Sequence, residues 1–247
     1  MSEHGFRKVL EDGAFDIAFH PIVHTRTGHI HHYEALARFP GTIAAESPFK
    51  LISFAEEAGL IAKFDIAMAN KVMAWLKTHP KPHKIAINIS GYSIGNAGYL
   101  AELDGLLDAN RWARGAVMFE ITESICIPDL AAANQLFQTL RGQGFEICLD
   151  DFGAGVASFQ YLLSLDVDVV KLDGSAVKSA LIAKKGRAFL SALVRLCRDI
   201  GVPTIAERVD DGETLDFVRD CGVDYAQGYL FGEPSTDIGA FKDAVFR

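Results

Sequence analysis

The sequence predicts a modified (β/α)8 TIM-like barrel with one antiparallel strand, formed by residues 1–247 as a single domain. Three observations lead there. Short β-rich runs alternate with longer helical patterns along the whole chain, the order that builds a parallel sheet wrapped by helices. Eight such runs can be counted, and 247 residues is the usual size of a one-domain barrel. The first two runs are joined only by HTRTG, too short for a crossover helix, so they are expected to pair as an antiparallel hairpin.

In chain order the runs are FDIAFHPIV near 16–24, HIHHYEALARF at 29–39, KIAINIS at 84–90, AVMFEIT at 116–122, FEICLDD at 145–151, VDVVKLD at 167–173, PTIAER at 203–208 and VDYAQGY at 223–229. Between them lie SPFKLISFAEEAG, AKFDIAMANKVMAWLKTH, DLAAANQLFQTLRGQG and KKGRAFLSALVRLCRDIG, whose apolar residues recur every three to four positions. Several of these end at Gly, the usual helix stop. A doubly wound open sheet fits less well, because no glycine fingerprint follows the first strand.

Composition excludes several classes. Apolar residues make up 49% of the chain, enough for a sizeable core. The formal net charge is −8, so no basic excess exists to grip a DNA or RNA polymer. No apolar run reaches membrane-spanning length, and the polar start MSEHGFRKVLEDG is not a signal peptide. Cys126, Cys148, Cys197 and Cys221 are scattered without metal-ligand spacing and read as buried thiols in a reducing cytoplasm.

Side chains alternate along a strand, so each run shows which residue faces inward near its C-terminal end. These are Glu34, Asn88, Glu120, Asp150, Lys171 and Glu207, with Asp151 opening the loop after its strand and Gln227 ending the last. Singly, each has an ordinary explanation: a Glu paired with Lys, an Asn capping a turn, two Asp closing a strand. Together they place polar groups at one height, at the barrel end where active sites sit. An internal salt-bridge layer fails on count, since Glu34, Glu120, Asp150, Asp151 and Glu207 face one obvious lysine. Two divalent cations would supply the missing charge. Oxygen donors favour Mg²⁺ or Mn²⁺ over zinc, and a paired site of that kind suits in-line attack at phosphorus. Asp150 is the natural bridge, and Lys171 a fixed ammonium for the attacking water or the developing charge.

The ordered set Glu34-Ala35-Leu36, INIS, FEITES, LDDFGAG, VVKLD, AER and QGY resembles the EAL-domain family of bacterial cyclic di-GMP phosphodiesterases, nearly end to end. The resemblance implies a barrel with one antiparallel strand and hydrolysis of cyclic di-GMP to linear pGpG. It implies a first metal on Glu34, Asn88, Glu120 and Asp150, and a second on Asp150, Asp151 and Glu207. Lys171 matches the lysine at the catalytic water, with Gln227 near it. Arg38 matches an arginine that grips a substrate phosphate, Leu36 and Gln227 are placed against the substrate, and Glu123 matches a glutamate steadying the loop from Gly153 to Ser158.

Four departures are visible: His20 in place of Gln, a loop FGAGVASF with fewer hydroxyls, Arg208 in place of Gly, and Asp210 in place of Glu. None removes a metal ligand. The rival reading is a non-catalytic cyclic di-GMP receptor acting through a protein partner; a pure interaction domain is disfavoured by Arg38 and the intact ligand set. The chain starts almost at the barrel, so regulation is expected from a partner, a homodimer contact or a longer parent protein. His29, His31 and His32 mimic a metal cluster, but alternation sends His31 and His32 to opposite faces, and exposed strand histidines are the expectation. Trp75, Met68 and Met73 belong to a helix's apolar stripe.

Overall fold

The hairpin expected from the HTRTG link is present. In the computed structural model, which describes residues 3–39, 48–79, 83–122, 127, 129–153 and 158–244, strand β1 (Asp16–His24) runs antiparallel to β2 (Ile30–Arg38). Gly28, at φ 75°, takes the left-handed turn that reverses the chain, and its N–H donates to the His24 carbonyl at 2.9 Å. The remaining strands are β3 (Ile85–Ile89), β4 (Val117–Thr122), β5 (Glu146–Phe152), β6 (Val169–Leu172), β7 (Thr204–Ala206) and β8 (Tyr225–Gln227). They close a barrel in sequence order. Neighbours pair in parallel except on the two sides of β1.

Helices α1 (Glu3–Glu11), α2 (Pro48–Glu57), α3 (Ile61–Thr78), α4 (Gly91–Ile94), α5 (Ala97–Ala109), α6 (Leu130–Gly142), α7 (Ser158–Ser164), α8 (Gly174–Ile182), α9 (Gly186–Asp199) and α10 (Gly212–Asp220) surround it. Helix α1 was not among the expected helices. It holds on two buried side chains, Phe6 and Val9, and the Phe6 ring packs within 6.1–6.2 Å of Phe39, Phe54 and Phe64. Met68 and Met73 are core, and half-buried Trp75 lies between Phe19 and His79. Cys148, Cys197 and Cys221 are buried free thiols, and Cys126 lies outside the described residues.

The barrel interior is layered. Ile22, Ala86, Met118, Cys148, Val169 and Ile205 form an apolar cluster separate from the larger core between sheet and helices, with Tyr225 against it. Two residues further along each parallel strand, the same inward face carries a polar group. Polar side chains therefore gather at the C-terminal rim, with buried His32 of β2 one pleat below Glu34 as an exception.

One feature of the rim is held from the helix side. Asp65 of α3 is buried, and its Oδ2 accepts from the Ser90 N–H at 3.0 Å and the Ser93 hydroxyl at 2.6 Å, fixing the chain where β3 turns into α4. Burial pushes its carboxyl up to about 7, against the pull of these two hydrogen bonds. Glu56 of α2 and Tyr99 of α5 are the titratable groups facing it. Because the folded value exceeds the unfolded one of about 3.9, the folded state binds more protons between these values, so stability falls as pH rises through about 4 to 7 and is flat above. Asp65→Asn should remove this component. Denaturant unfolding should show the parent losing about 2–4 kcal/mol more than the variant between these limits. Parallel pH profiles would refute it.

Candidate metal centre and active site

Lys171, the second residue after Val169 on β6, is 1% exposed and reaches up the barrel axis. Its Nζ lies 3.0 Å from Glu207 Oε1, 3.1 Å from Glu120 Oε2, 3.2 Å from Asp150 Oδ1 and 3.5 Å from Glu34 Oε2. Each carboxylate comes from a different strand end. Glu34 is fixed on both oxygens: Asn88 Nδ2 donates to Oε1 at 2.7 Å, and Gln227 Nε2 donates to Oε2 at 2.7 Å. His20 Nδ1 lies 3.1 Å from the same Gln227 nitrogen. It arrives from β1, whose reversed direction pairs His20 with Glu34 across the hairpin.

Asp151 joins the group by breaking the strand rule. Alternation alone would point it away from Asp150. Its backbone is left-handed, at φ 57°, and the β5–β6 register shifts between Leu149 and Phe152, so the two consecutive aspartates serve one side. Oxygens of Asp150, Asp151 and Glu207 lie within 4.8 Å of one another. The Asp151 N–H also donates to Asp150 Oδ1 at 2.9 Å. Sequence placed Asp151 in the following loop; β5 carries it, extending to Phe152.

The electrostatics follow from burial and crowding. Desolvation works against the Lys171 ammonium, but Asp150, Glu120, Glu34 and Glu207 outweigh it and hold its pKa well above the usual lysine value. In the metal-free rim the four carboxylates thus hold Lys171 as an ammonium, a hydrogen-bond donor. Burial pushes the Glu120 carboxyl well up, and repulsion from Glu34 and Asp150 adds to it despite Lys171. Burial likewise raises Asp150, to about 6, with Glu207 and Glu34 reinforcing and Lys171 opposing. Glu34 goes the other way: burial alone would raise it, but Lys171 and the hydrogen bonds from Asn88 and Gln227 bring it below the ordinary value. The site thus carries more negative charge than its one ammonium can settle.

Other expected site residues are less converged. Leu36 and Arg38 follow Glu34 on the same face of β2, rising half-buried above the rim, with Arg38 Nη1 donating to the Ala37 carbonyl at 3.0 Å. Glu123 and residues 154–157 of the loop lie outside the described residues. Arg208 is exposed, left-handed at φ 52°, and its stem lies directly over Gly174 at the start of α8. Asp210 accepts from the Tyr229 N–H at 3.0 Å. The histidine expectation needs correcting for His32: it is buried inside the barrel, 1% exposed. A bulge, in which Ile22 pairs with His32 and Val23 with Ile30, leaves His31 unpaired and cancels the alternation between the two histidines.

The EAL domain family model matches residues 4–234. The chain belongs to the EAL-domain family. It is 36% identical over 194 residues to the cyclic di-GMP phosphodiesterase PdeB of Shewanella oneidensis, covering 76% of this chain and 22% of that protein. With the cyclic di-GMP phosphodiesterase PdeF of Escherichia coli it shares 29% identity over 241 residues, 96% of this chain and 32% of the relative. The chain therefore spans less than a third of the length of these relatives. The FimX EAL domain from Pseudomonas aeruginosa bound to c-di-GMP superposes with a TM-score of 0.84 at 27% identity, covering 94% of this chain and 95% of that one. The PaMucR phosphodiesterase in its c-di-GMP complex gives 0.82 at 26% identity, covering 94% and 96%. Membership supports cyclic di-GMP hydrolysis at the level of the family. Among the described residues no helix is long and apolar enough to cross a membrane.

The donor set fits hard cations. It offers carboxylate and amide oxygens, and it carries four buried or half-buried carboxylates around one ammonium. Removing the ammonium tests that charge balance. Lys171→Met leaves the carboxylates without their shared counter-ion and should destabilise the metal-free protein by about 3–5 kcal/mol. Added Mg²⁺ or Mn²⁺ should recover part of the loss through binding to the folded state. Thermal melts in EDTA and in excess Mn²⁺ read both effects. Unchanged stability in EDTA would show that Lys171 does not hold the rim together.

Proposed function

We propose that residues 1–247 work as one domain that hydrolyses cyclic di-GMP to linear pGpG with two divalent cations, Mg²⁺ or Mn²⁺, in the cytoplasm. The observation that carries this reading is the convergence of Glu34, Glu120, Asp150 and Glu207 on buried Lys171, with Asp151 alongside, in a chain of the EAL-domain family. One ion would be held by Glu34, Asn88, Glu120 and Asp150, and the other by Asp150, Asp151 and Glu207. When bound, such ions lower the pKa of a coordinated water and neutralise charge on the phosphoryl group.

The protein's own groups do the rest. Lys171, an ammonium among the carboxylates, orients the attacking water by donating to its oxygen. Water oxygen forms the new bond to phosphorus, the P–O3′ bond breaks, and the released 3′-oxygen ends protonated as a hydroxyl, leaving the phosphate on the 5′ side of pGpG. Gln227 holds Glu34 through one amide N–H while His20 holds Gln227, so the amide orientation is set from two sides. Arg38, above the rim on β2, grips a non-bridging phosphate oxygen, and Leu36 packs against the nucleotide. Glu123 would steady the loop after β5.

The decisive experiment is chromatography of purified protein incubated with cyclic di-GMP in Mg²⁺ or Mn²⁺, with EDTA as control. Accumulation of pGpG in the metal arms alone is expected. Asp150→Asn removes charge where the two cations would lie closest, and hydrolysis should fall on the order of 10³-fold or more with circular dichroism unchanged. A variant that turns over like the parent would end the two-metal reading, and tight binding without cleavage in the parent would make the domain a receptor.

Arg38→Ala tests the phosphate grip separately. Loss of charge-assisted hydrogen bonds worth about 1.5–3 kcal/mol should weaken cyclic di-GMP binding roughly tenfold to a hundredfold. Calorimetry in Ca²⁺, where turnover is expected to stop, would measure it. An unchanged Kd would remove Arg38 from the substrate site.

A further inference from the structure

We propose that His32 is a positioning residue that donates its Nε2–H to Glu120 from inside the barrel, fixing which Glu120 oxygen is left to face the cation. The inference rests on the reading of Glu120 as a metal ligand. Its starting point is a pair of buried atoms without hydrogen-bond partners, His32 Nε2 and Glu120 Oε1, which face each other at 3.9 Å. Both side chains are wholly buried, so no bulk water is at hand to satisfy either atom. The other Glu120 oxygen, Oε2, is taken by Lys171 Nζ at 3.1 Å. At 3.9 Å the pair is outside hydrogen-bond range, and a small rotation of the carboxylate closes the gap.

The tautomer follows from the neighbour on the far side. His31 Nδ1 and His32 Nδ1 lie 2.7 Å apart, so one of these nitrogens carries a proton and the other accepts it. Were His32 the donor, its neutral ring would turn a lone pair from Nε2 toward Glu120, which is repulsive when that carboxylate is ionised, as a metal ligand is. With His31 donating, the His32 proton sits on Nε2 and points at Glu120. The bulge opposite Ile22 and Val23 makes the arrangement possible, since it brings His31 and His32 to the same side and lets the exposed ring orient the buried one. A carboxylate held on one oxygen by an imidazole N–H presents the other in a fixed direction, the role outer partners play around metal ligands.

The test reads metal binding and tautomer as well as turnover. Calorimetric titration of the metal-free protein with Mn²⁺, without nucleotide, should show His32→Leu binding about tenfold more weakly or worse. His32→Gln, whose amide N–H can stand near the Nε2 position, should stay within roughly threefold of the parent. Long-range ¹H–¹⁵N spectra of the parent should show His32 as the Nε2–H tautomer, with that proton moving downfield when Mg²⁺ is added. This measurement does not depend on any variant folding. An Nδ1–H tautomer, or a folded His32→Leu protein with parental Mn²⁺ affinity, would overturn the proposal. Glu120→Gln separates the two levels: no effect on Mn²⁺ binding would overturn the metal reading itself, and with it this role for His32. Weakened binding there, with His32→Leu unaffected, would overturn only the inference about His32.

Discussion

A buried ammonium within 3.0–3.5 Å of Glu34, Glu120, Asp150 and Glu207 ties four strand ends to a single point on the barrel axis. Desolvating a lysine costs several kcal/mol, and each partner carboxylate bears a similar cost, so none of these groups is tolerable there alone. Collectively they are, because each carboxylate sees the same cation at hydrogen-bond distance. The arrangement is nevertheless unbalanced. Burial above all, and repulsion among the carboxylates after it, push Asp150 up to about 6 and Glu120 well above its usual value despite Lys171. Structural stability and the proposed cation affinity would therefore be two aspects of one charge balance.

The fold supplies the height at which these groups meet. Beneath them the interior is packed with Ile22, Ala86, Met118, Cys148, Val169 and Ile205, beside buried His32 of β2. Two residues further along each of β3 to β7 an apolar inward residue gives way to a polar one, while the register is staggered around the barrel: Asn88 pairs with Glu120, but Glu34 lies beside Ala86, Glu120 beside Cys148 and Lys171 beside Ile205. The antiparallel β1 enters from the opposite direction, so its rim residue, His20, precedes its interior residue, Ile22. Pairing of His20 with Glu34 then delivers an imidazole to Gln227 without displacing any acid. A barrel with all strands parallel would have to supply that contact from a loop.

Most of this was readable from the sequence, and for a definite reason. Alternation of period two identifies inward residues without knowledge of neighbours, so Glu34, Asn88, Glu120, Asp150, Lys171 and Glu207 could be placed together from separate runs. The short HTRTG link likewise left only a hairpin. What escaped are the places where backbone geometry departs from the regular strand. The bulge at His31 inverted the reading of His32, and the left-handed Asp151 with its register shift put two successive aspartates on one side. No local pattern in a strand sequence announces a bulge, because the extra residue is accommodated by the partner strand. Helix α1 was missed because its hold on the core reduces to Phe6 and Val9 in a stretch that is otherwise polar.

The two non-glycine residues with left-handed backbones among those described, Asp151 and Arg208, both sit at the rim, one a candidate ligand and the other directly after one. Such conformations cost on the order of 1–3 kcal/mol and persist only where surroundings enforce them. Asp tolerates this region better than most side chains, and at position 151 the strain yields a second carboxylate beside the first. Arg208 has no such intrinsic tolerance and stands where the family resemblance leads one to expect glycine. Its accommodation is visible on the facing helix. A Cβ at Gly174 would lie 2.5 Å from the Arg208 stem, so the absence of a side chain at the first residue of α8 is what makes room for it. The stem is thereby directed along the helix start, where Asp173 already caps the Ser175 and Ala176 N–H groups. Glycine's freedom has in effect moved from the strained position to its neighbour in space, and Glu207 keeps its approach to Lys171 at 3.0 Å without a glycine following it in the chain.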